Sequence, residues 1–203
     1  MTLKIFGIAR SRAFRNIWLS EELGLAYEVI DIAPSDAHKD ERLRALNPNA
    51  RVPAIDDDGV VIWELIAINL YLAGKHRGEL SADDAAEYGR ILQWSFWGVT
   101  ECESFALEAL RHRMLWPEER RVEAKAIEAL VALERPFAIL NSELEAREYL
   151  AADRFTVADL NVASILGWAK AAGMDLEPYP NLKAWLSRCT SRPAARKAAS
   201  MMR

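Results

Sequence analysis

The chain has 203 residues, 51% of them apolar and 28% charged, with a net charge of -4. That length suits one large domain or two small ones with real cores, and so mild a charge gives no electrostatic reason to expect nucleic acid or an anionic membrane as partner. Cys102 and Cys189 stand far apart, outside any CxxC or His/Cys cluster, which excludes a disulfide scaffold and a zinc site and fits a reducing compartment.

The stretch LKIFGIA predicts a first strand, and SRAFRNIWLSEELG a helix with Phe14, Ile17 and Trp18 on one face that stops at Gly24. AYEVIDIA is β-like again, followed by a polar, irregular helical piece from His38 to Leu46. In NPNARVPAID, Val52, Ala54 and Ile55 suggest a strand, yet Pro53 sits among them. Proline donates no backbone hydrogen bond, so this is an edge strand, a bulge or a special turn. DDDG then joins VPAI to VVIW as a hairpin would, and an apolar helix from Glu64 to Ala73 ends at Gly74. The N-terminal apolar stretch, ended by Arg10, is too short for a signal peptide. GVVIWELIAINLYLAG is broken by Glu64 and Asn69 and is too short to span a bilayer. A cytoplasmic protein with no membrane partner is expected.

From Ser81 onward strand signals vanish and helical periodicity runs through AAEYGRILQWSFWGVTECESFALEALRHRML, RRVEAKAIEALVALERPFAILNSELEA and VADLNVASILGWAKAAG. The polar GKHRGELSADDAAE reads as a linker. The expected domains are 1–75, mixed β and α; a linker over 76–85; and 86–203, all helical. Thr156 to Asp159 (TVAD) has the form of a capping box, a device of helix-start stability rather than of chemistry.

The order of these elements, together with NPNARVPAID, WELIAINLYL and RFTVADLNVASIL, resembles the cytosolic glutathione transferase family over the whole chain, in particular its bacterial, serine-type members. The resemblance implies an α/β thioredoxin-like N-terminal domain plus an all-α C-terminal domain, assembled as a homodimer. It implies glutathione as co-substrate, conjugated to small hydrophobic electrophiles or used to reduce them, as in detoxification. In the family the proline of the VP pair is cis. Pro53 would then hold Val52 outward, where its backbone pairs with the cysteinyl residue of glutathione like an added strand.

Glutathione is acidic at both ends and needs its thiol ionised, so its site wants cations, helix N-termini and a hydroxyl near sulfur. Ser11, just before the first helix, matches the serine of serine-type members; its hydroxyl and the helix dipole would favour a thiolate, and it also suits a helix N-cap. Some members place their serine nearer the strand, where this chain has Ile8. Arg51 is the candidate for the glycyl carboxylate, with His38 and Lys39 as second candidates. Glu64 matches the acid that takes the γ-glutamyl ammonium group. Leu65 stands where the family has serine, keeping the amide for the γ-glutamyl carboxylate and losing the hydroxyl. That departure motivates the alternative, a non-catalytic binding or scaffold protein with weakened glutathione binding. Trp94, Trp97, Glu101 and Phe105 recur at helical spacing; the resemblance assigns Trp94, Trp97 and Glu101 to an electrophile pocket, while a core or interface stripe is the competing reading. No metal is expected, and the cysteines lie away from the first helix.

Overall fold

Leu3, Ile5 and Phe6 are buried while Lys4 faces outward, and this alternation makes Leu3–Phe6 the first strand, β1, of the computed structural model, which describes residues 2 to 202. Helix α1 (Phe14–Glu22) follows, with Ile17, Trp18 and Leu19 buried. It begins after Ser11 because residues 11 to 13 form a turn of their own. β2 (Tyr27–Ile30) pairs in parallel with β1. Helix α2 (Glu41–Leu46) is shorter than the expected piece from His38, because the Asp40 carboxylate caps it by accepting from the Leu43 amide at 3.1 Å. The strand anticipated to contain Pro53 starts just past it. β3 (Ala54–Asp57) pairs antiparallel with β1 and with β4 (Val60–Trp63), giving the order β2-β1-β3-β4. A residue without an N–H adds nothing to the ladder and stays outside it. The hairpin turn places Asp58 at φ 54° and Gly59 at φ 89°, both in the left-handed region that two-residue hairpins require.

Helix α3 (Leu65–His76) runs through Gly74 rather than ending there. That glycine does not take the left-handed conformation; the break comes at Arg77, with φ 32°. Packing of Ile68, Leu72 and Ala73 offsets the roughly 1 kcal/mol that a mid-helix glycine costs.

The chain divides into two compact units, one reaching Ser81 and the other spanning Ala82–Thr190. In the second, α4 (Ala85–Trp97), a π-helical stretch (Gly98–Glu103), α5 (Ser104–Leu110) and a π-helical end (Arg111–Leu115) replace the single α-helix that periodicity suggests. The next expected helix is two, α6 (Glu123–Ala132) and α7 (Glu134–Glu143). Pro136 gives the reason: it cannot donate to the carbonyl of Ala132, and its ring would crowd it.

Helix α8 (Val157–Ala171) is buried along most of its length and packs on α4, α5 and α9 (Pro180–Thr190). Gly98 allows close approach, since a Cβ there would lie 3.2 Å from side-chain atoms of both Val162 and Ile165. The buried Asp159 accepts from the Thr156 amide (2.9 Å) and hydroxyl (3.0 Å), the Leu150 amide (3.0 Å) and the Trp185 indole (2.9 Å). It ties the start of α8 to α9 as well as capping it.

The last helix, α10 (Pro193–Ser200), belongs to the first unit, which resumes at Ser191. Arg192 makes two bonds to the Glu22 carboxylate, at 2.7 and 2.8 Å, and Lys197 pairs with Glu21 at 2.7 Å. The expected helical domain over 86–203 therefore differs from the observed division, because these cations and the buried Ala195 and Ala198 are matched to α1.

Candidate functional site

Strand register collects the site. Phe6 is opposite Ala54, and Ala54 is opposite Trp63. The residues that follow Phe6, precede Ala54 and follow Trp63 therefore leave the sheet at one end. They are the loop from Gly7 to Ser11, the pair Val52–Pro53, and Glu64–Leu65.

Gly7 makes the first junction close. Its φ is +141°, and a Cβ there would sit 2.7 Å from Ala13 Cβ, 3.3 Å from Val52 Cβ and 3.5 Å from Ser11 Oγ. No side chain fits between the two segments, so Ser11 and Val52 flank the same glycine. The Ser11 hydroxyl donates to the Ile8 carbonyl at 2.7 Å, and its oxygen accepts from the Ala13 amide at 3.2 Å. It is half-buried and pre-placed ahead of α1, with its single proton held by a main-chain acceptor. The competing position, Ile8, supplies that carbonyl and has no side-chain donor.

The Val52–Pro53 bond is cis. Val52 is half-buried outside the ladder, and its side chain packs on the cluster of Phe6, Ile32, Ala37, Leu43 and Ala54. Ala37 brings the turn that carries His38 and Lys39 onto this cluster. Both side chains are exposed, and Lys39 makes only a loose pair with Asp36 at 3.7 Å. Arg51 is exposed, and its carbonyl accepts from the Asn47 amide group at 2.8 Å, which shapes the approach to Val52.

Glu64 and Leu65 open α3. Glu64 is exposed and adopts φ 73°, ψ 117°, a backbone state that side-chain-bearing residues avoid at about 1–3 kcal/mol. Leu65 is the first helical residue and is buried at 7% exposure. Sequence reasoning missed the group behind it. Asn16 of α1, fully buried, donates its amide to Asn69 Oδ1 at 2.6 Å and, at a longer 3.4 Å, to the Leu65 carbonyl. The available signal was a polar residue inside each of two apolar helix faces.

Trp94, Trp97 and Glu101 lie in the second unit. Trp94 is 4% exposed and meets Trp97 edge-on at 5.2 Å, so it belongs to the packed interior; Trp97 is half-buried and Glu101 exposed. Both cysteines are buried, and burial, with the neighbouring Glu101 charge, pushes the Cys102 thiol up to about 12. It is not a nucleophile at neutral pH. Among the described residues no His, Cys, Asp and Glu group is placed to hold a metal ion, and no helix is long and apolar enough to cross a membrane.

This arrangement offers a strand-like backbone edge with a hydroxyl near it, and a helix N-terminus for an anion at the same end of the sheet. Comparison with known proteins gives a consistent answer. Residues 1–74 match the family model for the glutathione S-transferase N-terminal domain, and residues 103–193 that for the C-terminal domain. The chain is 29% identical over 201 residues to glutathione S-transferase GstB of Escherichia coli, covering 96% of each. It is 30% identical over 214 residues to the probable glutathione S-transferase GSTF2 of Oryza sativa, covering 99% of this chain and 97% of that one. Among solved structures it is similar to the theta class glutathione S-transferase of Xanthomonas axonopodis with glutathione bound (TM-score 0.91, 27% identity, 100% and 98% covered). Glutathione S-transferase-I bound with lactoylglutathione also gives a TM-score of 0.91, at 27% identity with both chains fully covered.

Proposed function

The chain belongs to the glutathione S-transferase family, and we propose that it performs glutathione transfer at the end of the sheet just described. Glutathione is the co-substrate. The observation that carries the residue assignment is the convergence of Ser11, Val52 and the α3 N-terminus on that one end.

The Val52 amide and carbonyl pair with the cysteinyl residue as an added strand, beside Pro53. The Leu65 amide, at the positive end of α3, donates to the γ-glutamyl carboxylate, and Glu64 accepts from the γ-glutamyl ammonium. Arg51 is the cation for the glycyl carboxylate, with His38 and Lys39 on the neighbouring turn as supports. Ser11 acts by hydrogen bonding and forms no covalent intermediate. Its hydroxyl turns from the Ile8 carbonyl to the sulfur and stabilises the thiolate. The thiolate then attacks the electrophile, forming a carbon–sulfur bond as the leaving group departs with its electron pair.

The electrophile is a small hydrophobic molecule, as in detoxification, and Trp97, half-buried, and Glu101, exposed, are its candidate contacts in the helical unit. The protein acts as a cytoplasmic homodimer. Nothing in the structure or among the relatives favours a non-catalytic role.

Calorimetric titration with glutathione tests the site, with 1-chloro-2,4-dinitrobenzene as a generic electrophile for turnover. Binding below millimolar concentration with conjugate formation is expected. No binding at millimolar concentration would overturn the reading.

A further inference from the structure

The peptide group between Glu64 and Leu65 carries the amide assigned to the γ-glutamyl carboxylate, and its direction is set by an unfavourable backbone state at Glu64. Relaxing that state would rotate the peptide and turn the N–H away. Such conformations persist only where the surroundings over-determine them. Here the surroundings include one side chain from another helix. Asn16 spans the first turn of α3, reaching the Leu65 carbonyl and the Asn69 side chain one turn on. The same helix, α1, starts just after Ser11, so the tether also joins the thiol end of the site to its γ-glutamyl end.

Asn16 has a second telling feature. It is fully buried, yet its Oδ1 has no hydrogen-bond partner. An unpaired buried acceptor opposes folding, and an apolar side chain of similar shape would avoid that cost. A residue kept for stability alone would not be an asparagine of this kind.

We propose that Asn16 is a positioning residue for glutathione, holding the Leu65 amide in the orientation that receives the γ-glutamyl carboxylate. The proposal rests on the glutathione site assigned above.

The test compares wild type with Asn16→Leu and Asn16→Asp, using glutathione and cysteinylglycine, which lacks the γ-glutamyl group. Both variants remove the amide that donates to Leu65 and Asn69, and Asn16→Asp does so while keeping the shape. In both, the Kd and KM for glutathione should rise about tenfold, the factor for misplacing one hydrogen bond to a charged group. The kcat at saturating glutathione and the KM for 1-chloro-2,4-dinitrobenzene should stay within about twofold, as should kcat/KM with cysteinylglycine. The preference for the γ-glutamyl thiol therefore narrows by about tenfold, which general loosening of the fold would not produce. An unchanged glutathione Kd, or equal losses with both thiols, would overturn the proposal. If Asn16→Leu does not fold, the near-isosteric Asn16→Asp decides. Wild type that fails to bind glutathione at all would sink the site assignment itself, a result distinct from wild-type binding with no effect of either variant.

Discussion

In the proposed site Ser11 serves the thiol and Leu65 the γ-glutamyl carboxylate, so their substitutions should have separable effects. The Ser11 hydroxyl donates to the Ile8 carbonyl, and in the proposed mechanism it turns to the sulfur when a thiolate competes for it. Ser11→Ala should leave the glutathione Kd within about twofold, since a neutral hydroxyl adds little net affinity. It should raise the pKa of the bound thiol, because a donor to the ionised form is lost. Turnover then falls at neutral pH and recovers toward alkaline pH, which a pH–rate profile reads directly. Leu65→Ser restores a hydroxyl donor to a carboxylate, a bond worth roughly 1.5–3 kcal/mol. Glutathione should bind about ten- to a hundredfold more tightly by calorimetry. Because Leu65 is buried, the same change should lower unfolding stability by about 2–3 kcal/mol, visible as a reduced Tm. Gain of affinity with loss of stability is the expected pair; loss of both would remove Leu65 from the site.

At the level of elements, the helical unit depends on buried carboxyl groups used as joints. Glu87 in α4 accepts from the Asp83 amide at 2.6 Å and forms a two-bond pair with Arg154, at 2.7 and 2.8 Å, just ahead of α8. Hydrogen bonding from Arg154 holds the Glu87 carboxyl below its ordinary 4.5 despite burial. A depressed acid contributes stability above its unfolded pKa and loses it as pH falls through the folded one. The stability difference between wild type and Glu87→Gln should therefore be full at pH 7 and shrink below about pH 4.5; thermal melts across pH 3 to 7 check this. A gap that widens in acid would reverse the assignment. Asp159 is the second joint. Asp159→Ala leaves four donors short of an acceptor and should destabilise by about 3–5 kcal/mol in a denaturant titration.

At the scale of the whole molecule, two sets of apolar side chains are exposed. The edge strand β4 exposes Val60, Val61 and Trp63, and the helical unit exposes Tyr88, Phe96 and Phe105. An exposed apolar edge strand is an aggregation hazard unless something covers it, and the proposed homodimer would place a second copy of the chain on these surfaces. Sedimentation velocity should show a dimer at micromolar concentration, with Val61→Lys and Phe96→Glu each shifting it toward monomer. A monomeric wild type would count decisively against the homodimer. The α10 helix makes a further demand, since it completes the first unit through Glu21 and Glu22. Truncation before Ser191 should lower the Tm of the whole chain.

Local signals in the sequence determined most of the elements by themselves. Alternation marks β1, helical periodicity marks α1 and α8, and the positions of Asp58 and Gly59 mark the hairpin; each depends only on neighbours a few residues away. Thr156 and Asp159 disclosed a helix start, and Pro53 disclosed an irregularity, for the same reason. Pro136 carried the break between α6 and α7 legibly, although the surrounding apolar period outweighs it. The tertiary structure alone decided which of these features meet. Asn16 and Asn69 are 53 residues apart, and Arg192 and Glu22 are 170 apart. No short-range pattern selects one buried amide or one surface cation over others of its kind. Gly7 belongs to the same class: what forbids a side chain there is the Cβ of Ala13 and of Val52, brought to it by strand register and the turn before α1. Packing makes those choices because shape and burial are properties of distant segments brought together, and a single stretch of chain holds only its own half of each contact.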